Sequence, residues 1–343
     1  MIPAKFLKKY DNIVFELDGV IASNRHYITC AALSVYEMCN SDKYYGKSAL
    51  DYTSVFNNQK QITDLLFCNG KFVDLLYECG IDNMRDCAYV LLAGILGLGE
   101  RRDFSNICNY FRYINLHTSD IFDHCAILLG RAFPRKKCGR FEDMWNTLNQ
   151  CFTEWLFGDE LYEMFFDGPP SVHGKLPLIA NDQLYHSLIN TKDVFSSLKS
   201  SGFRISIVTQ RPRSEVEPSF ARWKFNEIFT KDDIITLDDI LDSHHKANLN
   251  MPNSPDPYCF ARAAIGAEYA DENFFAGNYS DKFSRTIIVS ASPVSLFIAK
   301  ELGADFAAIA SDPSNKSLKD MFRQLESDYV LDSMLDLIIQ PKN

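Results

Sequence analysis

Two carboxylates separated by one residue stand at the end of a short apolar run: Ile13-Val14-Phe15 leads into Glu16-Leu17-Asp18-Gly19. A run of this length closed by a glycine reads as a buried strand entering a turn. Acidic groups just past a strand end are placed to bind a metal, to attack an electrophile or to move a proton. A second polar set follows another apolar run, where Ile205-Ser206-Ile207-Val208 leads into Thr209-Gln210-Arg211, with Arg213 two residues on. A hydroxyl beside guanidinium groups suits an oxyanion. A third set, Ser290-Ala291-Ser292, follows Thr286-Ile287-Ile288-Val289.

These groups must be brought together by the elements that carry them. Residues 1–22 and 185–343 show short β-branched runs, each followed by an amphipathic helical pattern, whereas residues 23–184 read as helical almost throughout. The second block looks inserted into the first. In the outer segments, helical patterns at "DVFSSLKSS", "SEVEPSFARWKFNEIF", "DPYCFARAAIGA" and "PVSLFIAKELG" alternate with strands at "ISIV", "DIITLDDI", "RTIIVSAS" and "DFAAIAS", and "DYVLDSMLDLI" adds a last short strand and helix. Strands alternating with helices of this length imply parallel crossovers and a doubly wound α/β sheet. Ligands bind such sheets beyond the carboxyl ends of the strands, where strand order reverses. That rule selects the three polar sets above. The inserted block carries helical patterns at 28–40, 60–79, 83–98, 103–115, 119–133 and 141–166, and the loop "DGPPSVHGKLPL" leads back to the sheet. A helical insertion after the first strand is placed to act as a lid. Within it Trp155, His173 and Lys175 are ligand candidates set against ordinary linker and core roles.

Composition narrows the function classes. The 343 residues are 46% hydrophobic and 23% charged, ordinary for a folded globular chain long enough for two domains. A net charge of −10 repels phosphate backbones and anionic membrane surfaces, so neither nucleic acid nor membrane is expected as a partner. The longest apolar run, Ala88 to Gly99, is shorter than the roughly 20 residues of a membrane helix and reads as a buried helix. The N-terminal stretch lacks the apolar run of a signal peptide, and the expected location is the cytoplasm. Ten scattered cysteines, none in CxxC spacing, read as reduced apolar core residues.

With the motifs in place, the chain resembles the haloacid dehalogenase (HAD) superfamily, in its phosphatase-like branch with an enlarged helical cap inserted after motif one. "FELDGVI" resembles motif one, "IVTQRPR" motif two, "SPDPYCFARAAIG" motif three and "TIIVSASPVSLFIAKELGA" motif four. The resemblance implies a Rossmann-like core and a phosphoryl-transfer site. In it, position 16 carries the nucleophile, Asp18 the general acid/base, and Thr209 with its neighbours Gln210 and Arg211 the phosphoryl oxygens. Position 254 carries a neutralising lysine, and position 291 a Mg²⁺ carboxylate shared with residues 16 and 18. Phosphoryl transfer is mostly positioning and charge neutralisation, so each role needs its residue type.

The chain departs from that pattern at three positions: Glu16 replaces aspartate, Ser254 replaces lysine and Ala291 replaces aspartate. The extra methylene of Glu16 moves its carboxylate by about 1.5 Å, and a shift near 1 Å can cost about 10²-fold in rate. Loss of the carboxylate at 291 leaves Glu16 and the backbone carbonyl of Asp18 as weak Mg²⁺ ligands. Lys246, eight residues before Ser254, is a candidate substitute cation, and His244 and His245 beside it are weaker metal candidates because adjacent histidines on a helix face apart. The expectation is a HAD-like pseudophosphatase with a ligand-binding, regulatory or partner-binding role. A small phosphorylated or anionic ligand, or a protein, is the expected partner. The competing reading is a Mg²⁺-dependent phosphomonoester hydrolase with Glu16 as nucleophile and Asp18 as acid/base; a different chemistry in the same pocket is the third.

Overall fold

The apolar run ahead of Glu16 is a strand, and in the computed structural model it lies near the middle of a six-stranded parallel sheet. The structure describes residues 2–99, 103–116, 119–249, 256–277, 279, 282–310 and 316–339. In chain order the strands are β1 (Ile2–Pro3), β2 (Asn12–Glu16), β3 (Arg204–Val208), β4 (Ile234–Ile235), β5 (Thr286–Ser290), β6 (Asp305–Ile309), β7 (Tyr329–Leu331) and β8 (Ile338–Ile339). The sheet runs β4-β3-β2-β5-β6-β7, and β1 pairs separately with β8 as a small antiparallel sheet. Strand order therefore reverses at β2, which has β3 on one side and β5 on the other.

Both faces of the sheet are buried, which explains why its strands read as continuous apolar runs. Ile13, Phe15, Ile205, Ile207, Ile287 and Val289 face one core, packed with Val194, Phe195 and Leu198 of the helix Leu188–Ser200. Val14, Val208, Ile235 and Ile288 face the other, packed with Phe260, Ala261 and Ala264 of the helix Pro257–Ile265. Successive residues of a strand point to opposite faces, so each run feeds both cores.

Contacts divide the chain into two units, Met1–Asn24 with Gln183–Asn343, and Arg25–Asp182. In the first unit, the segments on either side of the helical block pair as a short antiparallel ribbon. The Ser23 N–H donates to the Gln183 carbonyl (2.8 Å) and the Tyr185 N–H to the Ile21 carbonyl (3.0 Å). The second unit has its own core, built on the contact of the helices Arg25–Asn40, Met84–Leu98 and Asp143–Phe165. Eight of the ten cysteines are buried, where a thiol packs as a small apolar group.

Several elements differ from the sequence expectation. The stretch "DIITLDDI" is strand only at Ile234–Ile235: β4 ends there, and Thr236 forms a capping box with Asp239 that starts the helix Leu237–Lys246. The helix expected over 60–79 is two, Gln59–Leu66 and Lys71–Glu78, because Cys68, Asn69 and Gly70 adopt positive φ and break it. A helix at Tyr52–Asn57, capped by Asp51, is additional. The helix expected over 214–229 stops at Trp223, where Lys224 takes a left-handed conformation.

Candidate functional site

The carboxyl ends of β2, β3 and β5 bring the three polar sets together at the point where strand order reverses. Glu16 is the last residue of β2, Thr209 follows β3 and Ser290 ends β5. The turn after Glu16 is tight. Gly19 has φ +82°, and a Cβ placed on it would lie 2.8 Å from the Ala291 Cβ. Ala291 therefore packs directly against the turn that carries Asp18 and Gly19.

The two acidic residues turn to opposite neighbours. The Glu16 carboxylate, 8% exposed, accepts hydrogen bonds from the Ser290 hydroxyl and from the Ser295 hydroxyl (3.2 Å), both on the β5 side. Ser290 is held in place by accepting the Ser292 N–H (2.8 Å). The Asp18 carboxylate turns to the β3 side. Arg211 grips it through Nη2 to Oδ1 (2.6 Å) and through Nε to Oδ1 and Oδ2 (3.0 and 3.2 Å), and the Thr209 hydroxyl donates to Oδ2 (3.1 Å). Thr209 in turn accepts the Arg211 N–H (3.1 Å), and its own N–H donates to the Ile235 carbonyl (3.0 Å). The arginine and threonine side chains are buried, while Asp18 is 30% exposed.

The remaining candidates spread out. Gln210 is half-buried between Thr209 and Arg211. The Arg213 guanidinium pairs with Asp239 (2.6 Å). Ser254 lies outside the described residues. Lys246 is exposed at the end of its helix, and His245 beside it is exposed as well. His244 turns the other way, to Asp256 (Nε2 to Oδ2, 3.1 Å), whose carboxyl is pushed above its ordinary value by burial against the pull of His244. Cys259 is buried beside this pair and its thiol is pushed up by burial, then by the charges of Asp256 and Glu16. In the helical unit, Trp155 and Lys175 meet in a buried cluster. Lys175 pairs with Glu154 (2.5 Å) and Glu37 (2.8 Å), and the Trp155 indole donates to Glu37 (2.9 Å). His173 is exposed, 3.7 Å from Asp159.

A divalent ion such as Mg²⁺ takes oxygen donors in a near-octahedral shell and usually relies on one or two carboxylates. At this site one carboxylate is bound by two hydroxyls, the other by a guanidinium, and the third position is alanine. The donor set does not fit the ion. Among the described residues, no cluster of three or more His, Cys, Asp or Glu side chains has metal-binding geometry.

Sequence reasoning placed the acidic turn, Thr209 and Arg211 in one site. It missed the hydroxyls of Ser290 and Ser295 as Glu16 partners, although Ser290 stood among the residues past β5. It treated Arg211 as an anion binder, and nothing in the residue order showed that Asp18 would be the anion.

A doubly wound sheet with the acidic turn after the strand at its switch point, a hydroxyl after the neighbouring strand and a helical block inserted in the chain between them is the α/β architecture that the sequence resemblance implied. An X-ray structure of a Northeast Structural Genomics Consortium target is 18% identical, with a TM-score of 0.68 over 95% of this chain and 97% of that one. A HAD family hydrolase from Deinococcus radiodurans R1, solved with bound phosphate and sodium, is 12% identical, with a TM-score of 0.45 over 96% of this chain and 93% of that one. A haloacid dehalogenase-like hydrolase from Streptococcus pneumoniae is also 12% identical, with a TM-score of 0.43 over 96% of each chain. No family model matches the sequence, and no curated protein does.

Proposed function

We propose that this chain is a non-catalytic HAD-like protein, a pseudophosphatase whose site serves ligand or partner binding in place of turnover. One observation carries the reading: the two carboxylates of the acidic turn are bound to different neighbouring strands, Glu16 to Ser290 and Ser295, and Asp18 to Arg211 and Thr209. An in-line phosphoryl transfer needs a nucleophile and an acid converging on one phosphorus beside a cation. Here the nucleophile position is spent on two hydroxyls. The acid position is engaged by the Arg211 guanidinium and the Thr209 hydroxyl.

The test is a phosphate-release assay with Mg²⁺ across a panel of phosphomonoesters, with Glu16→Ala as the blank. The expected rate equals that of the blank. Release that disappears in Glu16→Ala would falsify this reading and establish the hydrolase with Glu16 as nucleophile.

A further inference from the structure

We propose that the helical unit carries a docking cleft for an acidic peptide segment of a partner protein, with an aromatic ring of the peptide seated against Tyr45 and Phe133 and its carboxylates met by Arg131, Arg135 and Lys136. The surface lies wholly within the unit Arg25–Asp182, so this goes beyond the non-catalytic reading of the strand ends and does not depend on it.

Charge distribution is the first observation. In a chain of net charge −10, residues 131–140 hold five basic residues and no acidic one. The end of this segment is pinned: Arg140 grips Asp86 through Nε (3.0 Å) and Nη2 (2.7 Å), and buried Cys138 accepts the Tyr89 hydroxyl at its carbonyl. Just before it, Arg135–Lys137 form one tight turn, closed by the Lys137 N–H to the Pro134 carbonyl (2.9 Å). The turn leaves Arg135, Lys136 and Lys137 exposed, and Arg131 is exposed as well. A Cβ on Gly130 would lie 2.9 Å from the Arg135 Cγ, so the Arg135 stem packs over the residue next to Arg131. Lys137 pairs with the exposed Asp143 (3.2 Å), whereas Arg131, Arg135 and Lys136 have no ion pair among the described residues. Charges farther than a Debye length, about 8 Å at physiological salt, are largely screened, so a local basic turn attracts anions although the whole chain is acidic.

The second observation is a cleft of about 460 Å³ that this segment borders, a size that suits a ligand site. Phe133 and Pro134, which stand between Arg131 and Arg135 in the chain, line it with Tyr45, whose ring meets Phe133 edge-on at 5.0 Å. Lys137 lines it too, which joins the basic turn to the cleft. Asn146, Thr147 and Gln150 of the helix Asp143–Phe165 complete the polar lining, spaced three and four apart on one helix face. Asn146 spends its amide N–H on the Phe141 carbonyl (2.8 Å), and Gln150 spends its own on Glu154 (3.2 Å) and Ser171 (2.7 Å). Each amide is therefore left with its oxygen to accept.

Together these features select the occupant. The cations suit carboxylates or phosphates, the aromatic wall suits a ring, and the amide oxygens suit N–H donors. A phosphodiester backbone carries no N–H, whereas a peptide supplies one at nearly every residue. An acidic peptide with an aromatic residue matches all three.

The experiment is fluorescence anisotropy of a labelled peptide, one phenylalanine flanked on both sides by glutamates, titrated with the full-length chain. Binding should be saturable, and it should weaken at least about tenfold in the variant Arg131→Glu/Arg135→Glu/Lys136→Glu and between about 0.05 M and about 0.5 M salt. Replacing the peptide phenylalanine by alanine should weaken binding about tenfold or more. Phe133→Ala should lower affinity for the phenylalanine peptide and leave that for the alanine peptide nearly unchanged. The salt series and the peptide comparison use the unaltered chain, so they carry the test if a variant does not fold. Absence of saturable binding overturns the proposal, as does equal binding of a peptide with lysines in place of the glutamates, equally tight binding of a single-stranded RNA, or affinity that survives the triple reversal. None of these readouts involves phosphate release, so either proposal can fail without the other.

Discussion

Glu16 is held by two serine hydroxyls. Its carboxylate reaches the Ser290 and Ser295 hydroxyls and is almost fully buried there. A buried carboxylate that loses a donor bears a desolvation cost, so Ser290→Ala should destabilise the chain by about 1–3 kcal/mol. Urea unfolding of the variant checks this, and an unchanged midpoint would mean that Glu16 is adequately solvated without Ser290. At the same scale, Ala291→Asp alone should give no measurable Mg²⁺ binding by calorimetry. The new carboxylate would face a Glu16 already engaged by hydroxyls and an Asp18 already engaged by Arg211. Tight Mg²⁺ binding by that single variant would show that the donor set needs only its missing carboxylate.

At the scale of elements, the helical unit depends on two local devices. The first is the Lys175 cluster, which ties the segment after the helix Asp143–Phe165 to Glu154 on that helix and to Glu37 on the helix Arg25–Asn40, with all three side chains fully buried. Burial opposes the charge on Lys175, yet Glu37 and Glu154 hold its pKa above the ordinary lysine value; burial pushes Glu37 up despite Lys175. Lys175→Met leaves two carboxylates buried together and should cost about 3–5 kcal/mol. A loss well below that in urea unfolding would mean that one carboxyl protonates at little cost. The second device is Gly158, which kinks the helix Asp143–Phe165 at φ +65°, ψ 174°. A Cβ there would sit 2.6 Å from the Pro177 nitrogen, so Gly158→Ala combines a clash with backbone strain of about 1–3 kcal/mol. A lowered melting temperature is the expected outcome.

For the whole molecule, pH tests the electrostatics of the sheet unit. Burial works against the Asp239 charge, but the Thr236 cap bonds and the Arg213 and Arg262 guanidiniums hold its carboxyl below the ordinary 3.8. A carboxyl lowered in the folded state binds its proton more readily when unfolded. Its stabilisation is therefore complete above 3.8 and is lost as pH falls through the lower folded value. Unfolding free energy should decline below about pH 4, and Asp239→Asn should make that decline shallower. Parallel acid limbs in the two proteins would remove Asp239 from the account. Among the described residues no helix is long and apolar enough to cross a membrane.

The sequence by itself determined the alternation of strands and helices, the helical block after the first strand and the residues that would stand at the strand ends. Those follow from local periodicity, and a parallel sheet with two buried faces writes them plainly in runs such as Ile13-Val14-Phe15 and Ile287-Ile288-Val289. Short elements were less legible. A two-residue strand at Ile234–Ile235 followed by a capping box is decided by Thr236 and Asp239, not by its apolar run. The partners at the acidic turn belonged to tertiary structure alone. Asp18 and Arg211 are 193 residues apart and Glu16 and Ser290 are 274 apart, so only the pairing of β2 with β3 and β5 brings them within hydrogen-bond reach. Residue types named an acid, a hydroxyl and a guanidinium; only strand order made each the ligand of another.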